Sequence, residues 1–175
     1  MLPTWKFYRI FVLTSLFLFL LCIISIHVRA DDTFVVYYPD KLLTPGDTLR
    51  ISVSELCNSN YVKTVKPVHK ARAMYVFNRY NINYKEHAQY KLDHLIPISL
   101  GGSNNVLNLW PIKYCSKQNA RKHLCAGAKE KKVVEDTLRI SVCNNTITIE
   151  QAQKIMTTDW YQEYAKIKNL LIGEL

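Results

Sequence analysis

Three residue types that could together hydrolyse a phosphodiester bond stand close in this chain: an acid, Asp93, an imidazole, His94, and a carboxamide, Asn108. They lie in Leu92-Asp93-His94-Leu95-Ile96-Pro97 and Asn108-Leu109-Trp110-Pro111, with Leu100-Gly101-Gly102-Ser103 between. A histidine, with an ordinary pKa of about 6.5, can take the proton of an attacking water near neutral pH. His94 is the candidate general base. The Asp93 carboxylate offers an oxygen to a hard divalent ion such as magnesium, which would polarise the phosphoryl group and steady the departing oxygen. Asn108 can hold the backbone or ring region of His94, and a nearby metal in basic surroundings should lower the imidazole pKa. An Asp-His pair alone is common; the composite with a Gly-Gly turn and Asn-Leu is not.

Positioning these groups requires a hairpin. Tyr90 to Pro97 alternates imperfectly and predicts a strand, with Pro97 tolerated only at its end. Neighbouring side chains on a strand point to opposite faces, so Asp93 can approach a metal while His94 faces a phosphate. Gly101-Gly102 and the asparagines after them suit a tight turn, and Val106 to Trp110 predicts the second strand. Pro111 to Cys125 reads as an irregular basic stretch. A helix is expected from Ala126 to Arg139, where Ala128, Val134 and Leu138 can share a face. Thr148 and Gln151 form a capping box that opens a helix over 148–171, its core stripe being Ala152, Met156, Trp160, Tyr164, Ile167 and Leu171. Upstream, residues 31–66 read as an extended wrapping arm with a turn at Thr44-Pro45-Gly46-Asp47. His69 to Tyr80 predicts a helix whose Lys70, Arg72 and Arg79 could follow a phosphate backbone or face solvent.

Residues 1–30 contain no acid, place Lys6 and Arg9 before an apolar run and end in Val28-Arg29-Ala30. This is a signal-peptide pattern, with an uncleaved anchor as the alternative. Export, periplasmic or secreted, is the expectation, with no membrane association once the leader is cleaved and a single domain over 31–175. Four cysteines then remain, Cys57, Cys115, Cys125 and Cys143, and three pairings are open. Cys115 with Cys125 as a local loop, and Cys57 with Cys143 as a long tie, is the preferred set. A structural zinc site is disfavoured because no two of these cysteines have the usual ligand-pair spacing. Without the leader, which holds three basic residues, the formal charge falls from +9 to +6. That surplus favours encounter with polyanions without specifying a fold. The chain has no repeats and no low-complexity tract, so nothing points to a solenoid or a disordered tail.

Asp93-His94-Leu95-Ile96-Pro97, Gly101-Gly102 and Asn108-Leu109 resemble the core of the HNH endonuclease family. More narrowly, the chain is similar to small exported HNH-like proteins through Thr44-Pro45-Gly46-Asp47, Cys57, Lys66-Pro67, Val142-Cys143, Ala152-Gln153 and Asp159-Trp160. The similarity covers roughly residues 44–165. It implies an α+β fold in which a ββα-metal finger, about residues 88–140, is embedded in a small helix-rich, disulfide-stapled domain with an extended N-terminal arm. It also implies His94 as base, Asp93 as metal ligand, Asn108 as orienting residue, and one divalent ion, magnesium first with manganese or nickel as alternatives. The implied partner is nucleic acid, DNA ahead of RNA, cut with little sequence preference and without a small-molecule cofactor. One position departs. The family carries a histidine or asparagine ligand on the finger's helix, and this chain has Leu138-Arg139, where arginine offers no lone pair. Glu135, one turn earlier, could replace it, with Asn119 and His123 as other options. Arg139 and Lys132 would then bind phosphate. If no residue closes the site, the fold would persist as a module binding nucleic acid or the cell envelope.

Overall fold

The computed structural model describes residues 34–116 and 125–173. In chain order these residues form β1 (Val35–Val36), α1 (Val53–Leu56), α2 (Tyr61–Thr64), α3 (Lys70–Arg79), β2 (Tyr90–His94), β3 (Leu109–Lys113), β4 (Cys125–Ala126), α4 (Ala128–Cys143), α5 (Ile149–Thr158) and α6 (Trp160–Gly173). The mixture of helix with small sheets is the expected α+β class. The leader, Asn119 and His123 lie outside the described residues. Among the described residues no helix is long and apolar enough to cross a membrane.

β2 and β3 form the predicted antiparallel hairpin, with Asp93 opposite Trp110 and His94 opposite Leu109. Its second strand begins and ends later than the apolar pattern suggests. Asn105 caps a short 3-10 turn, Val106–Asn108, by accepting from the Leu107 N–H at 3.1 Å, so the chain becomes extended only at Leu109. Pro111 then sits inside β3. A two-stranded sheet tolerates this because a proline can turn its missing donor away from the partner strand. The connection is compact because of its glycines. Gly101 adopts φ +79°, and a Cβ on Gly102 would stand 1.8 Å from the Ile96 carbonyl oxygen. Only glycine allows that approach.

α4 runs beyond the expected Arg139 to Cys143 and starts later, because Cys125 and Ala126 pair in parallel with Val35 and Val36. The Glu130 carboxylate accepts from the Gly127 N–H at 2.8 Å and caps the helix start. Its inward face sets Val134, Leu138 and Val142 against Ile96, Leu100, Ala152, Met156 and Trp160. The Thr148–Gln151 capping box opens α5 as expected. The single helix predicted over 148–171 is instead two. Asp159 leaves the helix at φ −157°, ψ 83°, and its carboxylate accepts from the Gln162 N–H at 3.1 Å and the Tyr38 hydroxyl at 2.6 Å. An aspartate favours this capping geometry over a helix interior.

Two further ties hold the N-terminal arm to the rest. Buried Thr44 donates its hydroxyl to the Leu109 carbonyl at 3.0 Å, and Asp47 accepts from the Ser103 hydroxyl. Disulfides join Cys57 to Cys143, across 86 residues, and Cys115 to Cys125, across 10. Both bonds match the preferred set, and bonds of this kind persist in oxidising compartments.

Candidate functional site

β2, its following turn and α4 converge on a groove of about 440 Å³, lined among others by Lys91, Asp93, His94, Lys132, Glu135 and Arg139. The hairpin presents Asp93 and His94, and α4 presents the other side. A second groove of similar size, along α5 and α6, contains Lys154, Asp159 and Glu163 but no histidine.

His94 is partly buried, and its Nε2 lies 2.8 Å from Asn104 Oδ1. The direction of that bond follows from the other end of the amide. Asn104 Nδ2 is 2.7 Å from the Lys66 carbonyl oxygen, which can only accept, so Oδ1 is the end facing the ring. An amide oxygen accepts in turn, so His94 Nε2 carries the proton. In the neutral ring Nδ1 then holds the lone pair, and it has no hydrogen-bond partner among the described residues. Burial holds the His94 pKa below the ordinary imidazole value, although the Asn104 bond and the Asp93 charge pull it upward. The ring is therefore neutral at pH 7, in the form a base requires.

Asn108 makes no hydrogen bond to the ring among the described residues. Fully buried, its Oδ1 accepts from the Ile96 N–H at 2.9 Å, and its Nδ2 donates to the carbonyls of Ile96 at 2.8 Å and Ser103 at 2.9 Å. Its backbone carbonyl also accepts from the Leu95 N–H at 2.8 Å. It fixes the backbone just after His94 and the loop that carries Asn104, so ring orientation belongs to Asn104. No sequence signal singled out Asn104. In a run of asparagines after two glycines, turn chemistry is the ordinary reading.

Asp93 and Glu135 do meet over one cation, and that cation is the ammonium of Lys131. Lys131 Nζ lies 2.8 Å from Asp93 Oδ2, 2.7 Å from Glu135 Oε1 and 2.7 Å from the His94 carbonyl oxygen. The first contact is an ion pair outside hydrogen-bond geometry. Lys91 closes the other Asp93 oxygen at 2.6 Å. Burial alone would push the Asp93 carboxyl up, but the ammoniums of Lys131 and Lys91 outweigh it and hold the pKa below the ordinary value. Burial also opposes the Lys131 ammonium, and the two carboxylates reverse that effect, so its pKa is raised. Asp93 and Lys131 thus hold each other in the charged state. The sequence signal that could have found Lys131 is its place on the inward face of α4: positions 128, 131, 134, 135, 138 and 142 are buried, and two of the six are charged.

The remaining expected residues are dispersed around the groove. Lys132 is exposed and pairs with Asp136. Arg139 donates from one terminal nitrogen to the carbonyls of Leu56 at 3.2 Å and Asn58 at 3.3 Å, and its buried Nε has no partner among the described residues. The basic face expected on α3 is mostly structural. Arg72 donates to the Asn104 carbonyl at 3.0 Å, and Arg79 to the Val106 and Leu43 carbonyls at 3.1 and 2.9 Å. Lys70 remains exposed.

A divalent metal fits these donors poorly as they stand. Asp93, Glu135 and the His94 carbonyl supply oxygens suited to a hard cation, but the Lys131 ammonium already fills their point of convergence. Among the described residues no cluster of three His, Cys, Asp or Glu side chains could hold a metal ion. No family model, curated protein or solved structure matches the chain.

Proposed function

We propose that this protein is an exported endonuclease of the HNH type that hydrolyses phosphodiester bonds of nucleic acid, DNA ahead of RNA, with His94 as general base. The observation that carries this reading is the Lys66–Asn104–His94 relay, which leaves a neutral imidazole with a free Nδ1 at a groove edged by cations. His94 Nδ1 takes a proton from water as the oxygen attacks phosphorus. Lys91, Lys132 and Arg139 offset the charge on the phosphoryl oxygens, and the departing oxygen takes its proton from solvent. Asn104 positions the ring, and Asn108 positions the loop beneath it. The two disulfides and the leader pattern support export.

Incubation of the purified chain with supercoiled plasmid, in chelator and in magnesium, manganese or nickel, tests the reading. The expected result is nicking that His94→Ala reduces by about 10²–10⁴-fold, the usual worth of a positioned base. Equal nicking by both proteins, or none by either, removes it.

A second reading has its own support in the ammonium of Lys131 filling the point where a catalytic metal would bind. On that reading the fold binds nucleic acid or an anionic envelope without cutting. Salt-sensitive affinity without strand scission is its signature.

A further inference from the structure

We propose that Lys131 is the built-in cation of this site, standing where a divalent metal would otherwise bind. The wild-type chain then holds no divalent ion at Asp93 and Glu135, and it gains such a site when Lys131 is replaced. The inference deepens the reading above by naming the cation of the same groove, and it does not require that the groove cut anything.

Three observations carry it. The ammonium donates to Glu135 Oε1 and to the His94 carbonyl oxygen at 2.7 Å each and forms an ion pair with Asp93 Oδ2 at 2.8 Å, so three oxygens converge on it. Those oxygens come from separate parts of the fold, the side chain of β2, the backbone of β2 and the side chain of α4. They meet at one point, the Lys131 ammonium. Finally, Lys131 is 0 % exposed and sits on the core stripe of α4 between Ala128 and Glu135. An incoming metal would have to expel a sealed ammonium, and the cost of separating a buried charge from its partners opposes that exchange.

Charge balance points the same way. Two carboxylates face two ammoniums, those of Lys131 and Lys91, so the cluster is neutral as folded. Adding a dication beside Lys131 would leave a buried excess of positive charge. Removing Lys131 instead leaves two carboxylates and a carbonyl oxygen around an empty point, a donor set suited to magnesium or manganese. Because it is sealed from the groove, Lys131 is a positioning residue: it fixes Asp93, Glu135 and the backbone of His94 without touching substrate.

Manganese is the probe, because electron paramagnetic resonance counts the free ion directly. Wild type should leave all added manganese free, whereas Lys131→Ala and Lys131→Gln should each take up one equivalent, lost again on adding Asp93→Asn or Glu135→Gln. Thermal melts give an independent readout. The Lys131 variants should melt higher by on the order of 5 °C when manganese exceeds its dissociation constant by about a hundredfold, and wild type should not move. A variant that folds only with manganese also supports the proposal. Wild-type uptake of manganese that Glu135→Gln abolishes overturns it, as do Lys131 variants that fold without manganese yet bind none, or that fold under neither condition. The plasmid assay can fail while this result stands, and the reverse also holds, so the two readings are separable.

Discussion

Asn104 is the residue on which the chemistry of His94 turns, because its amide selects which ring nitrogen is protonated. Asn104→Ala should leave the fold intact and slow cleavage by about ten- to a hundredfold, part of the 10²–10⁴ that a base contributes. Asn104→Asp makes a sharper test. Burial lowers the His94 pKa, so in wild type the rate should fall only as pH drops below the ordinary imidazole range. A carboxylate in place of the Asn104 amide would stabilise the imidazolium and move that acid limb to higher pH. An unmoved limb would remove Asn104 from the relay. At this scale the sequence disclosed Asp93, His94 and Glu135 as groups that share a locality, because residue type and spacing carry that information. It did not disclose Asn104, and it showed Lys131 only as a charge on the inward face of α4. The first looks like any turn asparagine, and a lysine beside another lysine on a helix ordinarily faces water, as Lys132 does.

The turn between β2 and β3 sets the position of every group on the hairpin side. Asn108 closes it from within, and Gly102 allows Ile96 to pass over it. Gly102→Ala should cost about 3 kcal/mol or more, since its methyl would collide with backbone rather than with a yielding side chain. Gly101→Ala should cost about 1–2 kcal/mol, because there the penalty is a left-handed backbone together with a tight contact, Ile51 Cγ2 at 3.1 Å, made by a side chain that can yield. Denaturant midpoints for the two variants check the order, and a smaller loss at Gly102 contradicts this account of the turn. Element type was legible from periodicity: α3, α4 and the hairpin lie where apolar spacing put them. Boundaries were set by single polar side chains that periodicity does not see. Asn105 delays β3, and Asp159 divides the C-terminal helix into α5 and α6.

The whole molecule is held by long-range ties as well as by its core. The arm reaches the hairpin through Thr44 and Asp47, and Cys57–Cys143 joins α1 to the end of α4 across 86 residues. Closing a loop of that length restricts the unfolded chain by about 4–5 kcal/mol in the chain-entropy model. Cys57→Ser/Cys143→Ser should therefore lower stability by several kcal/mol, visible as an earlier urea midpoint. An unchanged midpoint would show that packing of Leu56 and Val142 suffices. The preferred cysteine pairs were legible from the sequence, and the two bonds formed are of the kind that persists in an oxidising compartment. The course of the arm was not legible, because its contacts pair residues from distant parts of the chain.

The fold holds His94 as a neutral imidazole with Nε2 protonated and Nδ1 free. Nitrogen-15 NMR of the histidine rings, titrated from pH 5 to 8, reads this directly. At pH 7 the His94 Nδ1 resonance should be that of an unprotonated nitrogen and Nε2 that of an N–H, with protonation only below the ordinary imidazole range. The opposite tautomer, or an imidazolium at pH 7, would contradict it.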